Sequence, residues 1–365
     1  MKLTTQTAGP SLAFEESIEG VTAWPESDVV PGGGDIELLA YTSEGRLLAL
    51  LGRDGGAERA VGELPQALDD SKGIVLLARG RALVVAERYG LRGFVGRWSS
   101  EAQAFGDWAL IEREDYHAEH CSFPLALMEL NGEDCILHST KWNQLEVTAI
   151  ESGRRLTKRP AAENSDESEG EEGGIDYFHG QLYMSPDQTK FVSSGWVWSP
   201  YDILVAWTVA DYLANPGATG TSIEGPARSG YNWGRPVTFV DNDTVAWGYN
   251  VREGEEEDVP VDHPSELVLC SVSSDRLLER IPFDHFYNEA SPCGEVSGGL
   301  EFDVERQRFV AFGSEHDTVV TNRAGEVLMT SPERLHGFCV ASQIGWRVVA
   351  GKQVVVAVLS QDAGQ

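Results

Sequence analysis

Residues 179–195 read HGQLYMSPDQTKFVSSG, in which a glycine, an apolar segment, a polar turn, a second apolar segment and a closing glycine follow one another. The same order of residue types returns three times, in WGRPVTFVDNDTVAWG (233–248), GGLEFDVERQRFVAFG (298–313) and HGFCVASQIGWRVVAG (336–351). Each copy has the pattern of a β-hairpin, two short apolar strands joined by a polar turn. An internal repeat of this kind indicates an architecture of stacked or radially arranged units.

Hairpin patterns also fill the rest of the chain and group into seven units. These units lie near residues 35–65, 72–112, 121–160, 178–225, 233–282, 296–332 and 335–360. A hairpin alone cannot bury both of its faces, whereas a four-stranded blade packed between two neighbours can. The 365 residues therefore predict an all-β protein, with one β-propeller domain over 1–365 and seven blades of four-stranded antiparallel sheets.

The two ends of the chain are expected to close one blade together. A strand around residues 12–22 would complete the last blade beside residues 354–359, which read VVVAVL. Such a pairing ties the termini together and leaves few exposed strand edges, which protects a strand-rich chain from aggregation. The best helix candidate covers residues 209–213 and is ended by Pro216.

The most specific pattern is residues 183–213, YMSPDQTKFVSSGWVWSPYDILVAWTVADYL. Ser185-Pro186-Asp187 stands as a first hairpin turn and Trp207-Thr208 ends the third strand. This stretch resembles a blade of the tryptophan–aspartate (WD-type) β-propeller family, with Trp207-Thr208 where that family has its Trp-Asp dipeptide. Residues 139–156 resemble a second such blade. No Trp-Asp dipeptide occurs in the sequence, so we expect the buried His–Asp network of that family to be missing.

The charge of the chain limits its partners. Lys and Arg number 28 against 58 Asp and Glu, a formal net charge of −30. A field of this sign repels nucleic-acid phosphates and anionic lipids and favours partners with a basic surface. We therefore expect another protein as the partner, with no direct nucleic-acid contact and no membrane contact.

The cysteines and the apolar segments bear on location. Five cysteines are scattered without CxxC spacing, which fits a reducing compartment better than a disulfide framework: Cys121, Cys135, Cys270, Cys293 and Cys339. No stretch is long and apolar enough to predict a transmembrane helix. These features predict a cytoplasmic protein.

Two acidic segments interrupt the repeat. Residues 160–174 read PAAENSDESEGEEGG, and residues 253–262 contain a second acidic run. Neither segment has enough apolar surface to offset the entropy of ordering it, so both are predicted to be mobile loops. Before the first loop stands a basic stretch, which predicts a protease-sensitive site at Arg154, Arg155, Lys158 and Arg159.

The sequence EDYHAEHC (114–121) is the densest cluster of potential metal ligands. His117 and His120 are three positions apart, a spacing that would place both on one face of a helical turn, and Cys121 follows. A zinc site needs about four converging ligands on an anchored scaffold, and nothing in the sequence supplies that scaffold. We therefore interpret this segment as a polar loop between blades two and three, and expect no metal and no cofactor.

Aromatic residues crowd blade four and the segment that follows it. Trp196 and Trp198 alternate along the chain and should lie on one face of a strand or loop. The group admits two interpretations, core packing or a binding patch on one face of the propeller. Its candidate binding residues are Trp196, Trp198, Tyr201, Tyr231 and Trp233.

No nucleophile elbow, phosphate loop or dinucleotide-binding motif is found, so the sequence predicts no catalytic residues. The leading hypothesis is a non-catalytic protein–protein interaction module or scaffold. In a regulatory version it sequesters a basic, nucleic-acid-binding partner and releases it after proteolysis of the exposed loop. Two alternatives stay open, a metal-dependent propeller hydrolase or lactonase and a sensor of a small ligand or sugar.

Overall fold

The structure is a computed structural model, and it describes residues 2–7, 16–24, 36–51, 57–158, 176–198, 201–223, 235–249, 266–283, 285, 299–313, 317–349, 351 and 353–360. Within these residues, 27 strands form seven antiparallel sheets arranged in a ring, a seven-bladed β-propeller. The predicted fold class is therefore confirmed.

The chain begins with β1 (Lys2–Thr7) and then builds the blades in sequence order. Blade one contains β2 (Ile18–Ala23), β3 (Ile36–Thr42), β4 (Arg46–Leu51) and β5 (Ala57–Glu63). Blade two contains β6 (Ile74–Arg79), β7 (Ala82–Glu87), β8 (Arg92–Ser99) and β9 (Ala104–Glu112). Blade three contains β10 (Leu125–Leu130), β11 (Glu133–Lys141) and β12 (Gln144–Ala149).

The second half of the ring follows the same scheme. Blade four contains β13 (Phe178–Met184), β14 (Lys190–Val197), β15 (Tyr201–Thr208) and β16 (Thr221–Ile223). Blade five contains β17 (Val237–Phe239), β18 (Thr244–Tyr249), β19 (Glu266–Ser271) and β20 (Arg276–Pro282). Blade six contains β21 (Gly299–Asp303), β22 (Arg308–Phe312), β23 (Thr318–Asn322) and β24 (Val327–Ser331). Blade seven contains β25 (Gly337–Cys339), β26 (Ile344–Val349) and β27 (Gln353–Ser360).

The predicted helix is present between β15 and β16, as α1 (Val209–Ala214). Thr208 caps it, because its hydroxyl accepts a hydrogen bond from the Asp211 amide at 3.1 Å. Among the described residues, no helix has the length and apolar character needed to cross a bilayer.

Seven apolar clusters fill the spaces between adjacent blades and close the ring. Each cluster joins side chains of two neighbouring blades, including one between blade seven and blade one around Trp346 and Leu38. The innermost strands contact one another in cyclic order, from β2 through β6, β10, β13, β17, β21 and β25 back to β2. Each sheet therefore buries both faces, which a hairpin alone cannot do.

The ring closes as expected, but through a different strand. Lys2 of β1 pairs with Ser360 and Thr7 with Val355, so β1 completes blade seven. The prediction that residues 12–22 would form this strand is wrong, because Ile18–Ala23 is the innermost strand of blade one. Ile18 and Ala23 are buried between blades seven and one, a position that suits an apolar strand. The polar sequence of β1 suits the outer edge of a blade.

Six of the seven described sheets have four strands, and blade three has three. At the outer edge of β12, an isolated bridge between Thr148 and Arg155 stands where a fourth strand would pair. The acidic segments 160–174 and 253–262 both lie outside the described residues.

Two glycines of the repeated phrase lie where strands approach too closely for a side chain. A methyl group added to Gly180 would overlap the carbonyl oxygen of Ser194 on the paired strand. Gly299 pairs directly with Phe312, whose ring occupies the space a side chain would need. The glycines therefore permit close backbone approach and cross-strand packing beside the centre of the ring.

Candidate functional site

The loop between blades two and three is anchored by the buried side chain of Arg113. This buried guanidinium donates hydrogen bonds to the carbonyl oxygens of Gly90 at 2.8 Å, Ala118 at 3.0 Å and Cys121 at 2.9 Å. Burial lowers the pKa of Arg113 to about 10, so the group stays charged at neutral pH. The loop 114–121 thus has the scaffold that the sequence did not reveal.

An aromatic stack stands beside this loop. The rings of Phe178 and Trp196 lie 3.8 Å apart between centroids and are inclined by only 4°, and Trp142 packs on Phe178 at 4.3 Å. The indole N–H of Trp196 donates to Cys121 Sγ at 3.0 Å, which joins the stack to the loop. Cys121, Phe178 and Trp196 form an eighth, small cluster of buried residues, apart from the seven that fill the blade interfaces, and the partly buried Trp142 packs against it.

Exposed rings surround the stack. Tyr116 and Trp198 are each 48% exposed, far more than expected for rings that only fill a core. His117 lies between them, with ring centroids 4.6 Å from Tyr116 and 5.4 Å from Trp198. We call the whole group the aromatic patch, consisting of Tyr116, His117, Trp142, Phe178, Trp196 and Trp198.

The aromatic patch unites two segments that the sequence analysis treated separately, the histidine loop and the tryptophans of blade four. Of the predicted binding residues, Trp196 lies in the stack and Trp198 at its exposed rim. Tyr201 begins β15 and pairs with Val197, while its side chain lies outside the described part of the structure. Tyr231 and Trp233 also lie outside the described residues.

Sequence reasoning missed Tyr116, Trp142 and Phe178. Each lies near the start or end of a strand and outside the group of aromatic residues that marked blade four in the sequence. Their common position is a usable signal, since all three flank turns at one end of blades that follow one another along the chain.

The basic stretch before residues 160–174 is partly held against blade three. Arg155 lies 3.1 Å from the Glu146 carboxylate and is mostly buried, whereas Arg154 is exposed and lies 3.4 Å from Glu133. Lys158 is exposed, and Arg159 lies outside the described residues. Cleavage at this stretch stays a prediction.

The potential metal ligands of the loop divide into two groups. His117, Glu119 and His120 place one donor atom each within 4.8 Å of the others. They do so on a turn and not on the helical turn that their spacing suggested. Cys121 does not belong to this group, because its sulfur accepts the Trp196 indole and burial raises the pKa of its thiol.

A central channel of about 1540 Å³ lies among the innermost strands, with Glu119 and His120 in its lining. Asp202 and Arg235, also in the lining, form a buried ion pair at 3.1 Å. Glu301 on β21 lines the channel as well, and desolvation raises the pKa of its carboxyl to about 7. Burial is the main cause of the raised pKa of Tyr183, which also lines the channel, and the charge of Glu301 raises this pKa further.

The Glu301 carboxyl makes stability depend on pH. The pKa of Glu301 is about 7 in the folded protein and 4.5 in the unfolded chain, so the folded protein binds this proton more tightly. The stability that the bound proton contributes is therefore lost as pH rises from about 4.5 to about 7. We expect Glu301→Gln to raise the Tm relative to the unmodified protein at about pH 8 and to change it little at about pH 5. Thermal unfolding followed at both pH values tests this, and equal Tm differences at the two would contradict it.

The sequence matches no protein-family model, and no curated protein matches it significantly. The assignment as a β-propeller rests on the seven described sheets, their cyclic contacts and their interface clusters.

Proposed function

We propose that this propeller is a non-catalytic protein–protein interaction module that binds a basic partner at the aromatic patch. The observation that carries the proposal is the pair of half-exposed rings, Tyr116 and Trp198, beside the buried Phe178–Trp196 stack. Aromatic side chains held in place by a packed base provide large contact area at little entropic cost, and such residues dominate interface energetics.

Charge complementarity supports a cationic occupant of the patch. Asp115 and Glu119 are exposed on the same loop as Tyr116, and the chain as a whole carries a net charge of −30. A Lys or Arg side chain of a partner gains from both the carboxylates and the faces of exposed rings. Nucleic acid and anionic membranes are disfavoured by the same charges.

We extend the proposal to regulation. A partner whose basic surface also binds nucleic acid would be masked while it occupies the acidic propeller, and cleavage near Arg154 would release it. This version includes a cytoplasmic location, where the free thiols stay reduced. In this proposal the repeat is a divergent relative of the WD-type blade. In the present protein, buried His179 lies 3.2 Å from the Ser193 hydroxyl, where the WD-type network has a carboxylate.

We expect Trp198→Ala to weaken binding of a basic peptide by about tenfold or more, since a half-exposed hot-spot ring is removed. Fluorescence anisotropy of a labelled oligo-arginine peptide, measured at low and high salt, gives the affinity. Leu328→Ala is the matched control, because Leu328 is 47% exposed on blade six. Both variants should keep the Tm of the unmodified protein.

The result that contradicts the proposal is an affinity unchanged by Trp198→Ala, or an equal affinity for an oligo-glutamate peptide. Binding of the oligo-arginine peptide that resists high salt would also argue against charge complementarity.

The central channel favours a second candidate function, a sensor of a small ligand. Its volume exceeds that of a typical small-ligand pocket and leaves room for a metabolite, and Glu301 offers a carboxylate to a cationic or hydroxylated molecule. Titration of intrinsic tryptophan fluorescence with sugars and small amines tests this candidate, and the absence of any saturable change removes it. Among the described carboxylates that line the channel, only Glu119 belongs to a group of potential metal ligands, so the hydrolase alternative depends on that group.

A further inference from the structure

Two histidines and one carboxylate converge on the loop between blades two and three. Glu119 Oε1 lies 3.3 Å from His120 Nε2, close to the separation of two ligands on one tetrahedral metal ion. His117 completes the group, with one donor atom from each residue within 4.8 Å of the others. His120 and Glu119 are exposed, so small side-chain rotations can bring the three donors to bonding distance.

The loop that carries these residues is held in a defined shape. Arg113 binds the carbonyl oxygens of Ala118 and Cys121, and the amide of His120 donates to the carbonyl oxygen of His117 at 3.1 Å. These contacts fix the backbone on both sides of Glu119. A preformed backbone lowers the entropic cost of gathering ligands.

His117 is oriented by unusual backbone and by its neighbours. Its φ of 54° lies in the left-handed region, which a residue with a side chain adopts at an energetic cost. Its ring is then confined by Tyr116, Phe178 and Trp198, with centroids 4.6, 5.7 and 5.4 Å away. The structure thus directs an imidazole toward His120, where their ring centroids lie 5.9 Å apart.

We propose that His117, Glu119 and His120 form a binding site for a divalent transition-metal ion, with Zn²⁺ as the ion that matches best. Two imidazoles and a carboxylate form a typical ligand set for zinc, and three protein ligands leave a fourth position for water or another donor. The buried Cys121 takes no part, since its sulfur binds the Trp196 indole. The inference goes beyond the proposed protein-binding function and does not require it.

Glu119 supplies the oxygen donor of the group, and its Oε1 lies 3.3 Å from His120 Nε2. A simple ion pair between Glu119 and protonated His120 is the competing explanation of their proximity, and it requires no affinity for metal.

Titration of the full-length, metal-free protein with ZnCl₂ distinguishes the two explanations. We expect one bound Zn²⁺ per chain in isothermal calorimetry, and binding about 100-fold weaker or lost in His117→Ala and in His120→Ala. His336→Ala is the control, since His336 is an exposed histidine of blade seven outside the group. The Co²⁺-loaded protein should absorb as a site of nitrogen and oxygen ligands, without the intense band of a thiolate ligand.

Zinc bound equally well by the double variant His117→Ala/His120→Ala, or no binding by the unmodified protein, overturns the proposal. A thiolate band in the Co²⁺ spectrum also overturns it, because Cys121 would then be a ligand. Circular dichroism of each variant verifies that the ring is still folded. Peptide binding measured in the presence of EDTA tests the proposed function separately, so failure of one proposal leaves the other distinguishable.

Discussion

Asp202→Ala is expected to lower the free energy of unfolding by about 3–5 kcal/mol, the typical cost of removing one partner from a buried ion pair. Asp202 Oδ2 lies 3.1 Å from Arg235 Nη2, and the two side chains are 5% and 1% exposed. The guanidinium also lies 4.4 Å above the Trp247 ring. Asp202 stands at the start of β15 in blade four and Arg235 immediately before blade five, so the pair joins two blades.

The physical reason for the large effect is the position of Arg235. Without the carboxylate, a positive charge stays buried in a low-dielectric environment with less compensation. Equilibrium unfolding in urea measures the change. Glu279→Ala is the matched control, because it removes an exposed pair with Arg323 at 3.6 Å and should cost less than about 1 kcal/mol.

A double-mutant cycle gives the interaction itself. Asp202→Leu combined with Arg235→Met replaces both charges by apolar groups and should cost clearly less than the sum of the two single variants. Costs that simply add, or a cost for Asp202→Ala no larger than that for Glu279→Ala, would show that the ion pair does not link the blades energetically.

Gly180→Ala is expected to destabilise the protein by about 3 kcal/mol, at the upper end of overpacking effects. The added methyl group would overlap the backbone carbonyl oxygen of Ser194, which cannot rotate away as a flexible side chain can. To relieve this overlap, β13 and β14 would have to move apart. Phe178 lies two residues before Gly180 on β13, so the aromatic stack should be disturbed as well.

Gly106→Ala is the matched control for Gly180→Ala. Gly106 also lies within a strand, β9, but a methyl group there would meet no atom within 4 Å. We expect a change within about 0.5 kcal/mol, or slight stabilisation from the lower entropy of the unfolded chain. Urea unfolding of both variants gives the comparison. Equal effects at the two positions would contradict the close-packing explanation of the repeated glycines.

Much of the fold could be predicted because hairpins depend on residues close in sequence. Alternating apolar residues and polar turns identified the seven units, and the helix at α1 followed from its local pattern. The closing strand was misplaced because its partner is at the other end of the chain, Lys2 opposite Ser360. The polar composition of β1 and the more apolar composition of β2 become informative only when the inner and outer positions of the blades are known.

The candidate site was harder to predict, since its members come from separate blades. Trp196 and Trp198 were identified by their density in sequence, and His117 and His120 by their spacing. The sequence did not predict that these two groups lie together, because the hydrogen bond that joins the loop to the stack connects Cys121 with Trp196, 75 positions apart. The anchor, Arg113, looks in the sequence like any surface arginine.

The amino-acid sequence alone determined the repeated strand–turn–strand unit, the number of blades and the acidic charge, all properties of local pattern or composition. Tertiary structure decided which aromatic side chains meet on one face of the propeller, which arginines are buried, and where the histidines point. The reason is that a propeller brings turns from successive blades together on one of its faces, and contacts between blades depend on the shape of the closed ring.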